Sequence, residues 1–429
     1  MSRDPETARE FARRFAASEA ATATEAADLL SEAGRERVVD AYPEAFRDPP
    51  FDAEAAIEGY WWGLYGQYGP PEDVEVSVDG AEATATFAFG GATETATLEL
   101  DDDGVAGVAF NPSYETPDYV DRDAITERDL SVDAGDVALD GRLAMPDGDG
   151  PFPGVVLVHG AGLHDPDGTA GTSKILKDLA WGFATEEIAT LRYAKRLHDH
   201  EVPDESYTLD TVVTDDAVAA VEELADVAAV DADRLFVAGH SQGGMAAPRI
   251  AERHGGLAGV LLLDAPADPM VEPDDVAFMR YSFDPDGDLT DEQAEQLEQR
   301  RETFRRIASE EFEDSETLMG KPGIWHRSMH DCEPAETAAG LDAPAFVAKT
   351  GRADEARQPE LVAFLEENVE AWRDVDLPAG GRVVFYETVD HYFQAGPTPT
   401  TMDALYFGGN VEPHVVADLV DWIRATGND

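Results

Sequence analysis

Residues 235–245, with the sequence LFVAGHSQGGM, contain the pattern that decides the fold. The apolar run at 235–238 predicts a buried strand, and residues 245–253 predict a helix. Ser241 lies on the turn between them, where small neighbours are needed because the backbone is strained and the helix packs closely against the strand. A glycine-rich turn alone would not require this strand and helix. We therefore predict that Ser241 is a catalytic nucleophile.

Similar apolar runs alternate with helical stretches along the rest of the chain. A continuous apolar run is expected of a strand that is buried on both faces. Alternation of such strands with helices predicts a doubly wound, mostly parallel α/β sheet. The predicted strands lie at 126–132, 137–145, 154–158, 189–193, 235–238, 260–263, 345–348 and 383–386, and the helices at 172–186, 209–225, 245–253, 359–372 and 412–424.

The connection between residues 264 and 344 is too long to be a simple loop. Its interior, at 291–309, is rich in charged residues and has a helical pattern. An insertion of this kind is typical of a cover over the ends of the strands. We predict a helical lid at about residues 268–335.

The beginning of the chain has a different pattern. Residues 6–39 place apolar side chains at helical intervals in alanine-rich sequence. Residues 74–110 then form alternating segments separated by turns rich in glycine and aspartate, which predicts an antiparallel meander. A chain of 429 residues is long enough for two domains. We predict a small α+β accessory domain at 1–118, followed by the α/β domain at 122–429. The accessory layout resembles the cone-like folds of the nuclear transport factor type.

The composition excludes some classes of partner. The formal net charge is -59, from 90 acidic and 31 basic residues. Nucleic acids and anionic membrane surfaces bind basic patches, so neither is expected as a partner. The acidic surface resembles those of proteins from salt-loving cells, because molar salt shortens the Debye length to about 3 Å and screens the self-repulsion. The alternative, an acidic field that steers substrates, would repel anionic ones.

Cysteine usage and hydropathy predict a cytoplasmic protein. The single cysteine, Cys332, cannot form an internal disulfide. The first residues lack the apolar core of a signal peptide, and no apolar run reaches the roughly 18 residues of a membrane span. Asp165 and Asp167 suggest a calcium loop, but the remaining ligands are missing, so we expect neither a metal nor a cofactor. The sequence leaves open whether the chain forms a homodimer.

A general base is expected late in the chain. His391 lies in the segment 389–393, with the sequence VDHYF, directly after the last predicted strand and before the final helix. From this position an imidazole can take the proton of Ser241 and later return it to the leaving group. The alternative is a loop histidine that faces solvent. We predict that His391 is the general base.

The acid of the triad should follow a strand between the serine and the histidine. Asp354 lies in the loop after the strand at 345–348 and is the residue we predict. Asp264 competes with it, because it directly follows the preceding strand. Asp390 is adjacent to His391 in the chain, so its side chain should point elsewhere.

A tetrahedral intermediate needs hydrogen-bond donors for its oxyanion. The backbone N–H of Gln242, next to the serine, is one candidate. The other should come from the loop at 159–162, with the sequence HGAG. Ala161 is the favoured donor there and Gly162 the second choice, whereas His159 is expected to be structural.

From about residue 125 to the end, the chain resembles the α/β-hydrolase superfamily, especially its esterase, thioesterase and dipeptidyl-peptidase-like branch. The motifs that carry the resemblance are HGAG at 159–162, LRYAKR at 191–196 and GHSQGG at 239–244. The resemblance implies a triad that acts on esters or related acyl compounds of small molecules without a cofactor. Carried over to this chain, its site residues are Ser241, Asp354 and His391, with Ala161 and Gln242 at the oxyanion hole. The acid loop departs from the branch, which commonly has apolar residues where this chain has Glu355, Ala356 and Arg357.

Several functions remain open from the sequence. A Ser-His-Asp triad serves ester hydrolysis through an acyl-enzyme, but it equally serves a peptidase, an amidase or an acyl-CoA thioesterase. A function of another class is a catalytically silent binding module with the hydrolase fold. The nucleophile, base and oxyanion loop together favour an enzyme. The unmatched acid loop and the accessory domain favour the binding module.

Overall fold

The computed structural model describes residues 5–47, 51–268 and 276–426. A four-stranded antiparallel sheet lies in the accessory domain, and an eight-stranded sheet lies in the remainder. The elements of the accessory domain are α1 (Pro5–Phe15), α2 (Ala20–Thr24), α3 (Glu32–Ala41), α4 (Ala53–Tyr68), β1 (Asp73–Asp79), β2 (Glu82–Ala88), β3 (Thr93–Leu100) and β4 (Val105–Phe110).

Helices cover one face of the accessory sheet, whose strands pair in chain order. Ala83, Ala85 and Phe87 point from β2 into the core, while the residues between them are less buried, as the two-residue period of a strand requires. Phe15 of the amphipathic helix α1 packs edge-on against Phe87, with 5.2 Å between ring centroids. This arrangement confirms the predicted α+β layout of helices followed by a meander. The resemblance to a cone-like fold stays a prediction.

The second part contains the elements of the large sheet, its covering helices and an insertion. The elements before the insertion are β5 (Ile125–Asp133), β6 (Ala138–Pro146), β7 (Phe152–Val158), β8 (Thr169–Ala170), β9 (Ser173–Lys174), α5 (Ile175–Thr185), β10 (Ala189–Tyr193), α6 (Arg196–Asp199), α7 (Asp215–Ala225), β11 (Val230–His240), α8 (Gln242–His254) and β12 (Gly259–Leu263). The insertion contains α9 (Ala277–Phe283), α10 (Asp291–Ala308), β13 (Thr317–Leu318), β14 (Lys321–Pro322), α11 (Gly323–His330) and α12 (Pro334–Gly340). After it come β15 (Ala345–Thr350), α13 (Pro359–Arg373), β16 (Arg382–Tyr386), α14 (Ala404–Phe407) and α15 (Pro413–Ala425).

The large sheet has the strand order β16-β15-β12-β11-β7-β10-β6-β5. Neighbouring strands from β16 to β10 are parallel, and β6 is antiparallel to both β10 and β5. Every residue of β10, β12 and β15 is buried, because separate apolar clusters cover the two faces of the sheet. The predicted doubly wound, mostly parallel sheet is therefore confirmed. Parallel strands also bring their carboxyl ends to one edge, where the candidate site residues lie.

The insertion between β12 and β15 occupies the interval predicted for a lid, of which residues 269–275 lie outside the described residues. Its longest helix, α10, begins with a capping box in which Thr290 and Gln293 satisfy each other's backbone N–H groups. Ion pairs between side chains one turn apart stabilise its charged surface. A movement of this insertion over the site stays a prediction. Among the described residues, no helix is long and apolar enough to cross a membrane.

The two parts of the chain meet where α14 packs on α4. Phe407 is buried in the core of the accessory domain, and its ring meets Phe110 edge-on, with 5.2 Å between centroids. Tyr406 Oη donates a hydrogen bond to the Phe110 carbonyl at 3.2 Å, and Tyr65 Oη donates to the Thr398 carbonyl at 3.2 Å. The segment after His391 is therefore attached to the accessory domain.

We expect Phe407→Ala to lower the free energy of unfolding by about 3 kcal/mol, because it leaves a cavity in a shared core. Urea unfolding in molar potassium chloride measures this difference. The control is Leu163→Ala, which should change stability by less than about 0.5 kcal/mol because the Leu163 side chain is 69% exposed. An unchanged urea midpoint for Phe407→Ala would show that the two parts fold without depending on this contact.

Candidate active site

Ser241 lies on a strained turn between β11 and α8. Its φ of 53° and ψ of -116° belong to a conformation that residues other than glycine rarely adopt. The Ser241 N–H donates to the Leu263 carbonyl at 2.8 Å, which anchors the turn to the neighbouring strand. A Cβ atom on Gly239 would lie 2.1 Å from the Gly243 carbonyl oxygen, and one on Gly243 would lie 2.5 Å from that of His159. The glycines are therefore required by the close approach of helix and strand, as the sequence indicates.

His391 faces the same cavity as Ser241, which has a volume of about 280 Å³. His391 follows β16, and Ser241 follows β11, so the topology of the sheet brings them together at its carboxyl edge. The Nδ1 atom of His391 is hydrogen bonded to the Asp264 carboxylate at 2.6 Å. Because Nδ1 is already hydrogen bonded to Asp264, Nε2 is the ring nitrogen that can exchange a proton with a neighbouring group.

Asp264 is a buried carboxylate held by several donors. Thr350 Oγ1 donates to its Oδ2 at 2.8 Å, and the Lys349 ammonium lies 2.8 Å from its Oδ1. Burial alone would raise the pKa of Asp264, but Lys349 and the hydrogen bond from His391 outweigh burial and hold that pKa well below its usual range. The carboxylate is therefore charged when it contacts the imidazole.

Asp354 does not occupy the predicted position beside His391. Its Oδ1 accepts hydrogen bonds from the backbone N–H groups of Ala356 at 2.9 Å and Arg357 at 3.0 Å, and Thr398 donates to Oδ2 at 3.4 Å. The carboxylate thus holds the turn that leads into α13. The predicted contact between Asp354 and His391 is therefore corrected to a contact between Asp264 and His391. Asp264 directly follows β12 and reaches the imidazole from the end of that strand.

Asp390 points away from the imidazole, as expected. Its Oδ2 pairs with the buried guanidinium of Arg352 at 2.8 Å. Its Oδ1 accepts the backbone N–H groups of Tyr392 at 2.9 Å and Gln394 at 3.0 Å. These bonds fix the turn that carries His391, so Asp390 supports that turn and lines the cavity without contacting the imidazole.

His240 contributes a contact that sequence reasoning missed. Its ring is buried beside His391, with 4.7 Å between centroids, and its Nε2 donates to the His391 carbonyl at 2.8 Å. Burial lowers the pKa of His240 to about 3, so the ring is a neutral donor. In the sequence, His240 is noticeable only as the residue directly before Ser241. Its contact with His391 could not be predicted, because the two residues are far apart in the chain.

The candidate oxyanion donors come from two different segments of the chain. Gln242 is the first residue of α8, and Ala161 lies in the exposed loop after β7. His164 Nε2 donates to the Ala161 carbonyl at 2.6 Å, which fixes that loop. His159 is buried and donates to the Tyr193 carbonyl, in agreement with a structural role.

The cavity is mostly apolar. Its cations are already paired: Lys349 with Asp264, and Arg352 with Asp390. The apolar and aromatic lining residues come from α9, α13 and the segment 400–405. They are Phe278, Tyr281, Leu361, Phe364, Leu365, Met402 and Leu405, and Pro266 after β12 adds a further apolar contact.

The acidic loop after β7 is held together by ion pairs. Asp167 pairs with Arg192 at 2.9 Å and with Lys174 at 3.2 Å. Asp165 accepts hydrogen bonds from the backbone and hydroxyl of Thr169. Within the described residues, no group of three or more histidine, cysteine or acidic side chains is arranged to hold a metal ion.

Comparisons with known proteins agree with this architecture. A model described as the alpha/beta hydrolase family matches residues 155–419, which include Ser241, Asp264 and His391. The curated esterase EstD of Thermotoga maritima is 29% identical over 345 residues, covering 79% of this chain and 78% of its own length.

Similar solved structures include a hyperthermophilic esterase from Pyrobaculum calidifontis, with 16% identity and a TM-score of 0.45 over 70% of this chain and 85% of its own. A proline iminopeptidase from Mycobacterium smegmatis has 15% identity and a TM-score of 0.42 over 70% of this chain and 98% of its own. The family model spans more than half of the residues, and the chain is therefore an enzyme of the alpha/beta hydrolase family.

Proposed function

We propose that the protein is a serine hydrolase that cleaves carboxylic esters with Ser241 as nucleophile, His391 as general base and Asp264 as the acid. The observation that carries the proposal is the 2.6 Å hydrogen bond between His391 and Asp264, at the cavity that Ser241 lines. The likeness to a curated esterase supports the choice of esters.

The reaction takes two steps. His391 Nε2 accepts the proton of Ser241 while Oγ attacks the ester carbonyl carbon. The backbone N–H groups of Gln242 and Ala161 receive the oxyanion of the tetrahedral intermediate. When the intermediate collapses, the C–O bond breaks and His391 gives its proton to the leaving alcohol. Water then attacks the acyl-enzyme by the same path and releases the carboxylic acid and free Ser241.

Asp264 keeps the imidazole in the tautomer that this mechanism needs. A carboxylate that accepts the Nδ1–H leaves Nε2 as the base, and its negative charge stabilises the imidazolium that forms. Lys349 and Thr350 maintain the charged form of Asp264. The carboxylate therefore orients and stabilises without taking a proton itself.

The cavity favours a neutral substrate with an apolar group. Its lining cations are neutralised by neighbouring carboxylates, so within the part of the chain that the structure describes it offers no free charge to bind an anion. The net charge of -59 also repels anions. Acyl-CoA carries several phosphate charges, and this argues against the thioesterase alternative. An amide substrate uses the same groups, so activity assays must include amides.

The acidic surface also leads us to propose that the enzyme works in concentrated salt. With 90 acidic and 31 basic residues, the folded chain repels itself at low ionic strength. Molar salt reduces the range of that repulsion to about 3 Å. Activity assays therefore start in molar potassium chloride.

We expect a fluorophosphonate probe to label the wild type in molar potassium chloride. The same probe should leave Ser241→Ala and His391→Ala unlabelled. The matched control is Ser282→Ala, because Ser282 lines the same cavity and its hydroxyl is engaged with the Met279 carbonyl at 2.8 Å. This variant should be labelled like the wild type. If folded wild type is not labelled, the catalytically silent binding module becomes the better interpretation.

Asp264→Asn should lower kcat for a p-nitrophenyl ester by roughly 10⁴-fold, because an amide cannot stabilise the imidazolium or hold the required tautomer. Asp354→Asn is the control, and its kcat should stay within about tenfold of the wild type, because Asp354 bonds to its own loop. Steady-state kinetics at saturating ester compares the two. The opposite ranking would return the role of the acid to Asp354.

Gly66 of α4 supports the cavity wall, and we expect Gly66→Ala to narrow it. The added Cβ would lie 2.6 Å from Thr401 Cγ2, and Thr401 lines the cavity. The ratio of kcat/KM for p-nitrophenyl octanoate to that for the acetate should fall by roughly tenfold.

Two further variants test that explanation. Gly66→Ala with Thr401→Ser should restore part of the ratio, because serine lacks the colliding methyl group, while the contact of the new Cβ with Ala404 Cβ at 3.0 Å remains. Gly91→Ala should leave the ratio unchanged, since a Cβ there meets nothing within 4 Å. If Gly66→Ala leaves the octanoate-to-acetate ratio unchanged, the accessory domain does not influence substrate selection through this contact.

A further inference from the structure

Lys195 is a buried ammonium bound to uncharged groups. Its side chain is 3% exposed, and Nζ donates to the Gly160 carbonyl at 2.7 Å and to Gln242 Oε1 at 2.9 Å. The neighbouring cations behave differently: Arg192 pairs with Asp167, and Arg196 pairs with Asp216. Within the described residues, no carboxylate forms an ion pair with Lys195.

The two acceptors belong to opposite sides of the proposed oxyanion hole. The Gly160 carbonyl is part of the same peptide unit as the Ala161 N–H, and Gln242 supplies the other candidate N–H. A Cβ on Gly160 would lie 3.4 Å from Ser241 Cβ, so this peptide unit lies against the nucleophile. Lys195 is thus the side chain that connects the two donor segments.

A trans peptide holds its C=O and N–H groups in one plane, pointing in opposite directions. A cation that binds the Gly160 oxygen therefore fixes where the Ala161 N–H points. It also polarises the peptide, because hydrogen bonds in series strengthen one another at low dielectric. Both effects favour an oxyanion over a neutral carbonyl oxygen.

We propose that Lys195 is a positioning residue that orients the Gly160–Ala161 peptide and ties it to Gln242, so that both N–H groups meet the developing oxyanion. The inference rests on the proposed serine hydrolase function and adds a residue that does not touch the reacting atoms.

The placement of Lys195 is costly for stability, which argues against a purely structural role. Burial is the main cause that lowers its pKa to about 7, the nearby Lys321 lowers it further, and the charge of Asp216 opposes this shift without making contact. A buried cation without an anionic partner normally destabilises a fold. An uncharged residue would fill the same space with a smaller desolvation penalty. We therefore attribute the ammonium to its action on the Gly160–Ala161 peptide.

The test compares Lys195→Met, Gln242→Ala and their double variant with the wild type, using p-nitrophenyl ester kinetics and an inhibitory trifluoromethyl ketone. We expect Lys195→Met to lower kcat by roughly 10²-fold with little change in KM, as the loss of an oxyanion donor does. Affinity for the ketone, which forms a tetrahedral adduct, should fall in parallel. Lys195→Arg, which keeps the charge and the donors, should recover part of the loss.

Gln242→Ala keeps the backbone N–H and removes only the side-chain acceptor of Lys195. If the two residues act through one bridge, the double variant should be no worse than Lys195→Met alone. If the two substitutions lower kcat by factors that multiply in the double variant, the proposed bridge is refuted. Lys177→Met controls for loss of a lysine charge, because Lys177 is paired with Asp167 away from the nucleophile.

Fluorophosphonate labelling of the same proteins distinguishes a failure of the proposed hydrolase function from a failure of the proposed role of Lys195. If the wild type is not labelled, the proposed function itself fails. If it is labelled and Lys195→Met retains full kcat, only the role of Lys195 is refuted. Should Lys195→Met not fold, an unchanged kcat in Gln242→Ala refutes the bridge, and a reduced kcat with weaker ketone binding supports it.

Discussion

The close approach of α8 to the central strands is the constraint on which the rest of the site depends. It forces Ser241 into a positive φ and excludes a Cβ at Gly239 and Gly243. Such strain persists only where the surroundings hold it, and here β11 lies between β7 and β12 in the middle of a buried sheet. The same parallel order delivers the loops after these strands to one edge, so the packing that strains the serine also assembles its partners.

Charge is used differently at the surface and at the site. The surface carries a large excess of carboxylates, whereas the buried carboxylate at the site, Asp264, is matched by a cation at contact distance. The chain has only five lysines, yet Lys195 and Lys349 are both buried against residues of the candidate site, Gln242 and Asp264 respectively. Lysine is thus kept where an ammonium has a specific acceptor.

The sequence predicted the parts of the site that depend on local pattern. Ser241 and His391 follow strands, and the apolar runs identify those strands in one dimension. The carboxylate that contacts His391 was harder to predict, because both Asp264 and Asp354 follow strands and the choice depends on which of them reaches the imidazole. Asp264 adopts a φ of 49° directly at its strand end, while Asp354 is used by its own turn. A chain so rich in acids offers many such candidates, and pattern alone does not rank them.

The contact between the accessory domain and the hydrolase part had no signal in sequence, because its residues are far apart in the chain. It nevertheless bears on the candidate site. The segment after His391 is held on one side by Arg352, which binds Asp390 and the Gln394 carbonyl, and on the other side by α4, where Phe407 is buried. A loop anchored at both sides has fewer conformations, so His391 and the cavity wall share one support. The accessory domain therefore helps to hold the segment that carries one wall of the candidate site.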